Sequence, residues 1–190
     1  MELGFQTQSA KWIYVGDTAG TNWYFWDKEA DKAVPITSDN LRCIVLGIDV
    51  IEREFKGKTS IKVVLTVNAG DTYKIQFGIN TWFAKTFIVR LAQLSAIELA
   101  SPITIKTRKG EDGSKVIFGS IFDSFGKTIK KPESLSYDEC DETKLLTLIT
   151  EIDKKLHVKH NTEDDGLEEE LTSIKDESDL DEAKKELFPF

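Results

Sequence analysis

Residues 61–79 constrain the fold of this chain more than any other stretch. Ile61, Val63, Leu65 and Val67 alternate with Lys62, Val64, Thr66 and Asn68. After the turn Asn68-Ala69-Gly70-Asp71, the residues Tyr73, Ile75, Phe77 and Ile79 alternate with Thr72, Lys74, Gln76 and Gly78. Successive side chains on a strand point to opposite faces, so a period of two in both segments gives two strands, each with one greasy face and one polar, basic face. They should form a hairpin laid over a core.

The flanking sequence extends this into a mainly β chain. Upstream, Leu41 to Phe55 is a long apolar run with Gly47 inside it, and a glycine there marks a bulge or sharp bend before the turn Lys56-Gly57-Lys58. Downstream, Asn80 or Thr81 can cap a helix to about Leu94, with Phe83, Phe87, Leu91 and Leu94 on one face. Ser101-Pro102 ends that region. Ile103–Thr107 and Val116–Phe122 read as two more strands, joined by the turn-rich loop Arg108-Lys109-Gly110-Glu111-Asp112-Gly113-Ser114. Near the N-terminus, Trp12-Ile13-Tyr14-Val15 and Trp23-Tyr24-Phe25-Trp26 flank a Gly/Asp turn and predict a further hairpin. On this strand, Trp23 and Phe25 share one side and Tyr24 and Trp26 the other, so one pair should be core and the other exposed. Leu145, Leu148, Ile149, Ile152 and Leu156 predict an amphipathic helix from Asp141 to about His157.

Charge divides the chain more sharply than hydropathy. Residues 161–190 hold 12 Asp/Glu against 3 Lys, a net of −9, while the other 160 residues carry 22 Lys/Arg against 21 Asp/Glu, or +1. Between Asn40 and Lys131 there are 15 Lys/Arg and 8 Asp/Glu, a net of +7. The overall charge of −8 belongs to the tail and does not argue against a nucleic-acid partner for the rest. A length of 190 residues suits one cored domain plus a tail. No apolar run approaches the roughly 20 residues of a membrane helix, and the start MELGFQTQSA lacks a signal-peptide layout. An intracellular, cytoplasmic protein without a membrane partner is expected, with Cys43 and Cys140 reduced.

Catalytic and metal chemistry find little support in the motifs. Gly57-Lys58-Thr59 matches the end of a phosphate-binding loop, but the glycine required five residues earlier is Glu52. His157 and His160 are spaced like metal ligands on a helix, with Cys140 as a third candidate, yet no fourth ligand is in evidence. Nucleophile elbows, metalloprotease helices and dinucleotide glycine fingerprints are missing. The expectation is no enzyme, no cofactor and no metal. What remains is a basic β domain rich in aromatics, the combination that holds single-stranded nucleic acid by phosphate neutralisation and base stacking. Lys56, Lys58, Lys62 and Lys74 lie near the first hairpin, and Lys106, Arg108, Lys109 and Lys115 around the later loop. Trp12, Tyr14, Trp23, Tyr24, Trp26 and Trp82 are the candidate stackers.

The order of three strands, a helix and two strands from Leu41 to Phe122 resembles an OB-fold, a five-stranded Greek-key barrel that often binds oligonucleotides. The acidic C-terminus ending in Pro189-Phe190 is similar to the tails of bacterial single-stranded DNA-binding proteins and of analogous phage proteins. Lys184 and Lys185 interrupt the acidic run here, and Leu187-Phe188 precede the tip. The resemblance implies a five-stranded OB barrel with an added N-terminal hairpin, one barrel helix and a C-terminal amphipathic helix. It divides the chain into a nucleic-acid-binding domain (1–131), a helical segment (132–160) and an acidic tail (161–190). It further implies sequence-independent binding of single-stranded DNA, with RNA as the alternative strand. Phosphate contacts would come from Lys56, Lys58, Lys62, Lys74, Lys106, Arg108 and Lys109, and stacking from Trp23, Tyr24 and Trp26. Phe188, Pro189 and Phe190 would recruit replication, repair and recombination proteins, in the nucleoid or, for a phage-encoded chain, the host cytoplasm. The competing reading is an OB-type interaction or structural module, its aromatic hairpin and Asp141 helix serving as subunit interfaces in a homo-oligomer.

Overall fold

The computed structural model describes residues 10–172 apart from 19, 56, 112 and 113, with side chains to Val158, Phe55 excepted. The described elements are β1 (Lys11–Thr18), β2 (Thr21–Asp27), β3 (Lys32–Pro35), β4 (Asn40–Phe55), β5 (Lys58–Asn68), β6 (Thr72–Gly78), α1 (Trp82–Leu91), α2 (Ala96–Leu99), β7 (Ile103–Lys109), β8 (Ile117–Phe122) and α3 (Glu142–Thr172). The chain is mainly β. Its strands form one open mixed sheet in the order β3-β2-β1-β6-β5-β4-β7-β8.

The alternating segments behave as their pattern requires. β5 and β6 pair antiparallel, with Leu65 opposite Ile75 and Val63 opposite Phe77, and all four side chains are buried in the core. Each such apolar side chain removed from water contributes roughly 1.5–3 kcal/mol, so this hairpin face is a large share of what holds the fold. β4 is long enough to serve two partners. Asn40–Cys43 pair with β7 and the residues from Ile44 onward pair with β5, with a register slip between Val45 and Gly47.

Thr81 caps α1, its side-chain oxygen accepting from the Ala84 N–H, as the sequence suggested. Phe83, Phe87 and Leu91 are buried along the expected stripe, and Ala84, Thr86, Ile88 and Val89 are buried as well. The helix lies against β8 on one side. At its C-terminal end the Lys155 ammonium of α3 donates to the carbonyls of Ala92 (2.7 Å) and Leu94 (2.9 Å). Leu145, Ile149, Ile152 and Leu156 join the same core, so the compact unit runs to Leu156. His157 begins a second unit, in which α3 is described as far as Thr172.

Closure into a five-stranded barrel is not seen in this ladder. Of the set β4–β8, the two end strands are β6 and β8, and closure would need them to pair. Among the described residues β6 instead takes the N-terminal strand β1 in parallel, from Lys11 opposite Tyr73 to Tyr14 opposite Gln76. At β8 the edge is met by α1: the Gly119 N–H donates to Thr86 Oγ1 (2.8 Å), and Arg90 Nη1 donates to the Gly119 carbonyl (3.0 Å). The approach is close enough that a Cβ on Gly119 would lie 2.9 Å from Phe87 Cβ and 3.0 Å from the Phe83 ring. Three further elements depart from expectation: β3 extends the predicted N-terminal hairpin by a strand, α2 follows α1, and α3 continues well past His157.

Candidate functional site

The core side of β1 and β2 carries Ile13 and Trp23, so alternation sends Trp12, Tyr14, Tyr24 and Trp26 to the opposite face. Trp23 is therefore a correction to the expected stackers. It is 2% exposed, and its indole N–H donates to the Ser38 carbonyl, which ties the hairpin to the start of β4. Its strand neighbour Phe25 is half-buried against the core, whereas Trp26 is 46% exposed. The predicted division into a core pair and an outward pair is met, with Trp23 and Phe25 inside.

On the outer face the rings form a continuous row. Trp12 and Tyr14 stack with centroids 6.4 Å apart and planes 21° from parallel, and Tyr14 and Tyr24 do so at 5.5 Å and 22°. Strand register makes the reason plain. Tyr14 lies opposite Tyr24 on β2 and Gln76 on β6, and Gln76 lies opposite Val64 on β5, giving one cross-strand row over four strands. In the adjoining row Trp12 lies opposite Lys74, whose ammonium sits 5.5 Å from the Trp12 ring centroid. Cation and ring attract through the ring quadrupole, so Lys74 is held beside the aromatic row. Lys62 follows on the same face of β5, opposite Gly78. Burial, with the neighbouring Tyr14 second, raises the Tyr24 phenol above its usual value.

The remaining predicted cations scatter. Lys58 is exposed at the β4–β5 turn, away from the aromatic row, and Lys56 lies outside the described residues. Lys106 and Arg108 are exposed on β7, with the Arg108 guanidinium 5.8 Å from the Phe118 ring centroid. Lys109 is engaged: its ammonium contacts Asp17 Oδ1 at 2.8 Å, joining the end of β7 to the end of β1. Phe118 and Lys85 were missed by sequence reasoning; Phe118 was readable as the outward residue of a strand, Lys85 only as one lysine on a helix. Phe188, Pro189 and Phe190 lie outside the described residues.

Among the described residues no three His, Cys, Asp or Glu side chains gather as a metal site, and no helix is long and apolar enough to cross a membrane. Burial pushes the Cys43 thiol up to about 12 and raises that of Cys140, so neither is poised as a nucleophile. No family model, curated protein or solved structure matches the chain.

Proposed function

We propose that this chain binds single-stranded DNA without sequence preference along the outer face of β2, β1, β6 and β5. The observation that carries this reading is the near-parallel row Trp12, Tyr14 and Tyr24 with Lys74 beside it. Every base has a π face, so a row of rings stacks bases whatever their identity, at roughly 1–3 kcal/mol each, while Lys74 and Lys62 neutralise phosphates. The register slip in β4, its double pairing and the helix between β6 and β7 support reading β4–β8 as an opened OB arrangement, in which β1 occupies the edge where closure would occur. Lys106 and Arg108 extend the positive charge across β7. The acidic tail tip, Phe188 to Phe190, recruits replication and repair proteins in this reading, on the strength of its sequence.

The test is fluorescence titration with oligo-dT over a range of salt. Alanine at Tyr24 and Trp26 should weaken binding by roughly 1–3 kcal/mol per base unstacked and leave the melting temperature in place. Replacing both Lys62 and Lys74 with alanine should flatten the slope of log K against log salt by about one unit or more, since each phosphate contact on a single strand contributes about −0.7. No binding of any oligonucleotide by the wild-type chain would leave the aromatic face as a protein-contact surface.

A further inference from the structure

Trp82 opens α1, is 37% exposed, and lines three clefts at once. One cleft, of about 270 Å³, lies between the end of β1 at Gly16 and the approach to β8. A second, of about 650 Å³, opens over Phe118 and Arg108. The Trp82 and Phe118 rings stand 5.8 Å apart and tilted by 52°. Each ring has its own cation: the Lys85 ammonium lies 5.5 Å from the Trp82 centroid and the Arg108 guanidinium 5.8 Å from that of Phe118. Two accessible rings, each flanked by positive charge, repeat the chemistry of the aromatic row on β1 and β2. Of the acids here, Asp17 is paired with Lys109, Glu111 lines the larger cleft, and Glu133, Asp138 and Glu139 line the third, on the side of Trp82 that also holds Lys131.

The smaller cleft borders the aromatic row directly. A Cβ on Gly16 would meet the Tyr24 ring at 3.3 Å, so that ring lies over Gly16, which itself lines the cleft. On the same border a Cβ on Gly78 would lie 3.2 Å from the Thr81 methyl and 3.8 Å from the Lys62 ammonium, and Thr81 also lines the cleft. One ring and one cation of the row thus stand on the near side, with Trp82 on the far side.

Resting on the reading above, we propose that Trp82 and Phe118 form a second base-binding site. The bound single strand leaves the row at Tyr24, crosses the Gly16 cleft and sets one or two further bases against these rings, with Lys85 and Arg108 on its phosphates. A short strand fills the row alone; only a longer one reaches both sites.

The test compares labelled oligo-dT of about 5 and about 15 nucleotides, lengths that bracket a short and a long single-strand footprint, by fluorescence anisotropy on the full chain. Trp82→Ala should weaken the longer oligonucleotide by roughly 5- to 100-fold and the shorter by less than about twofold, while Trp82→Phe keeps most of the affinity. Should Trp82→Ala fail to fold, photocrosslinking of the wild-type chain to iodouracil-substituted strands decides the matter: label at Trp82 or Phe118 with the long strand, and none with the short, is expected. Equal effects on both lengths, no effect on either, or crosslinks confined to the β1–β2 face would overturn the second site while leaving the first. A wild-type chain that binds neither length would remove both.

Discussion

The two edges that would have to meet to close a barrel, at β6 and β8, are covered by different means. β6 is covered by backbone, since β1 adds a parallel ladder and brings an aromatic hairpin with it. β8 is covered at its middle by side chains, since Thr86 and Arg90 bond both polar groups of Gly119 and the helix presses Phe83 and Phe87 into the space a Cβ would need; backbone meets it only at its end, where the Ile129 N–H donates to the Ile121 carbonyl and Phe122 bridges Thr128. An unpaired sheet edge is a template for association with other chains, so either device protects the molecule. Only the first also creates a surface. The added strands β1 to β3 widen the sheet from five strands to eight and supply its row of rings, whereas the helical cover consumes the edge.

If the hairpin at β6 is held by its own buried anchor, Trp23→Ala should have the largest effect, about 3–5 kcal/mol of stability by urea denaturation. A loss below about 1 kcal/mol would show that the β1–β6 ladder suffices without the anchor. At the other edge, Gly119→Ala should cost about 1–3 kcal/mol, because its new Cβ meets Phe87 and Phe83 at distances only a shift of α1 can relieve. A neutral result would mean α1 adjusts freely and is no rigid cover. Thr86→Val keeps the shape and removes the acceptor, leaving a buried N–H unpaired at a cost of about 1 kcal/mol or somewhat more. Faster hydrogen exchange confined to Gly119 and its neighbours would check it; unchanged protection there would assign the cover to packing alone.

The smallest effect belongs to Cys43, on the β4 segment that pairs with β7 and so links the two halves of the sheet. Its thiol rises from an ordinary 9.0 to about 12 because burial disfavours the thiolate. The folded state thus binds the proton more tightly than the unfolded one. That contribution is complete below pH 9 and is lost as pH climbs toward 12. Tyr24, Tyr137 and Cys140 are raised by burial too and bend stability the same way. Cys43→Ala should therefore show a shallower alkaline decline of the denaturation midpoint than the wild-type chain, and parallel declines would assign the effect to the others.

Much of the sheet was legible because its causes are local. Alternation around Leu65 and Ile75 shows which faces pair, Gly47 marks the bulge, and Thr81 sits where a cap must sit. The helix α2 went unread, although Ser95 and Glu98 form a capping box whose reciprocal bonds hold that helix start and keep the Glu98 carboxyl below its usual range. What a local pattern does not contain is the partner of an edge. Nothing in Trp12-Ile13-Tyr14-Val15 says that it will lie parallel to Thr72–Gly78, and without that pairing the direction of the core stays open. Hence the parity of Trp23 and Tyr24 was readable and their assignment was not. The aromatic row was visible as composition; its stacking geometry depends on register across three strands and emerges only in the fold.

The β1–β6 pairing also sets an order of events. Lys11 and Asp71, which meet at 2.6 Å where the two strands begin, are separated by 60 residues of chain. A ribosome adding roughly 5–20 residues per second needs about 3–12 s to make that interval. For that time the N-terminal hairpin has no sheet to join, and Trp23 has no core to enter. A chain arrested before residue 72 should show Trp23 fluorescing as in water, and one arrested after β6 has cleared the exit tunnel should not. The first aromatic residues synthesised are thus among the last to be sheltered, and the hairpin that widens the finished surface spends its early life as the part most exposed to other chains.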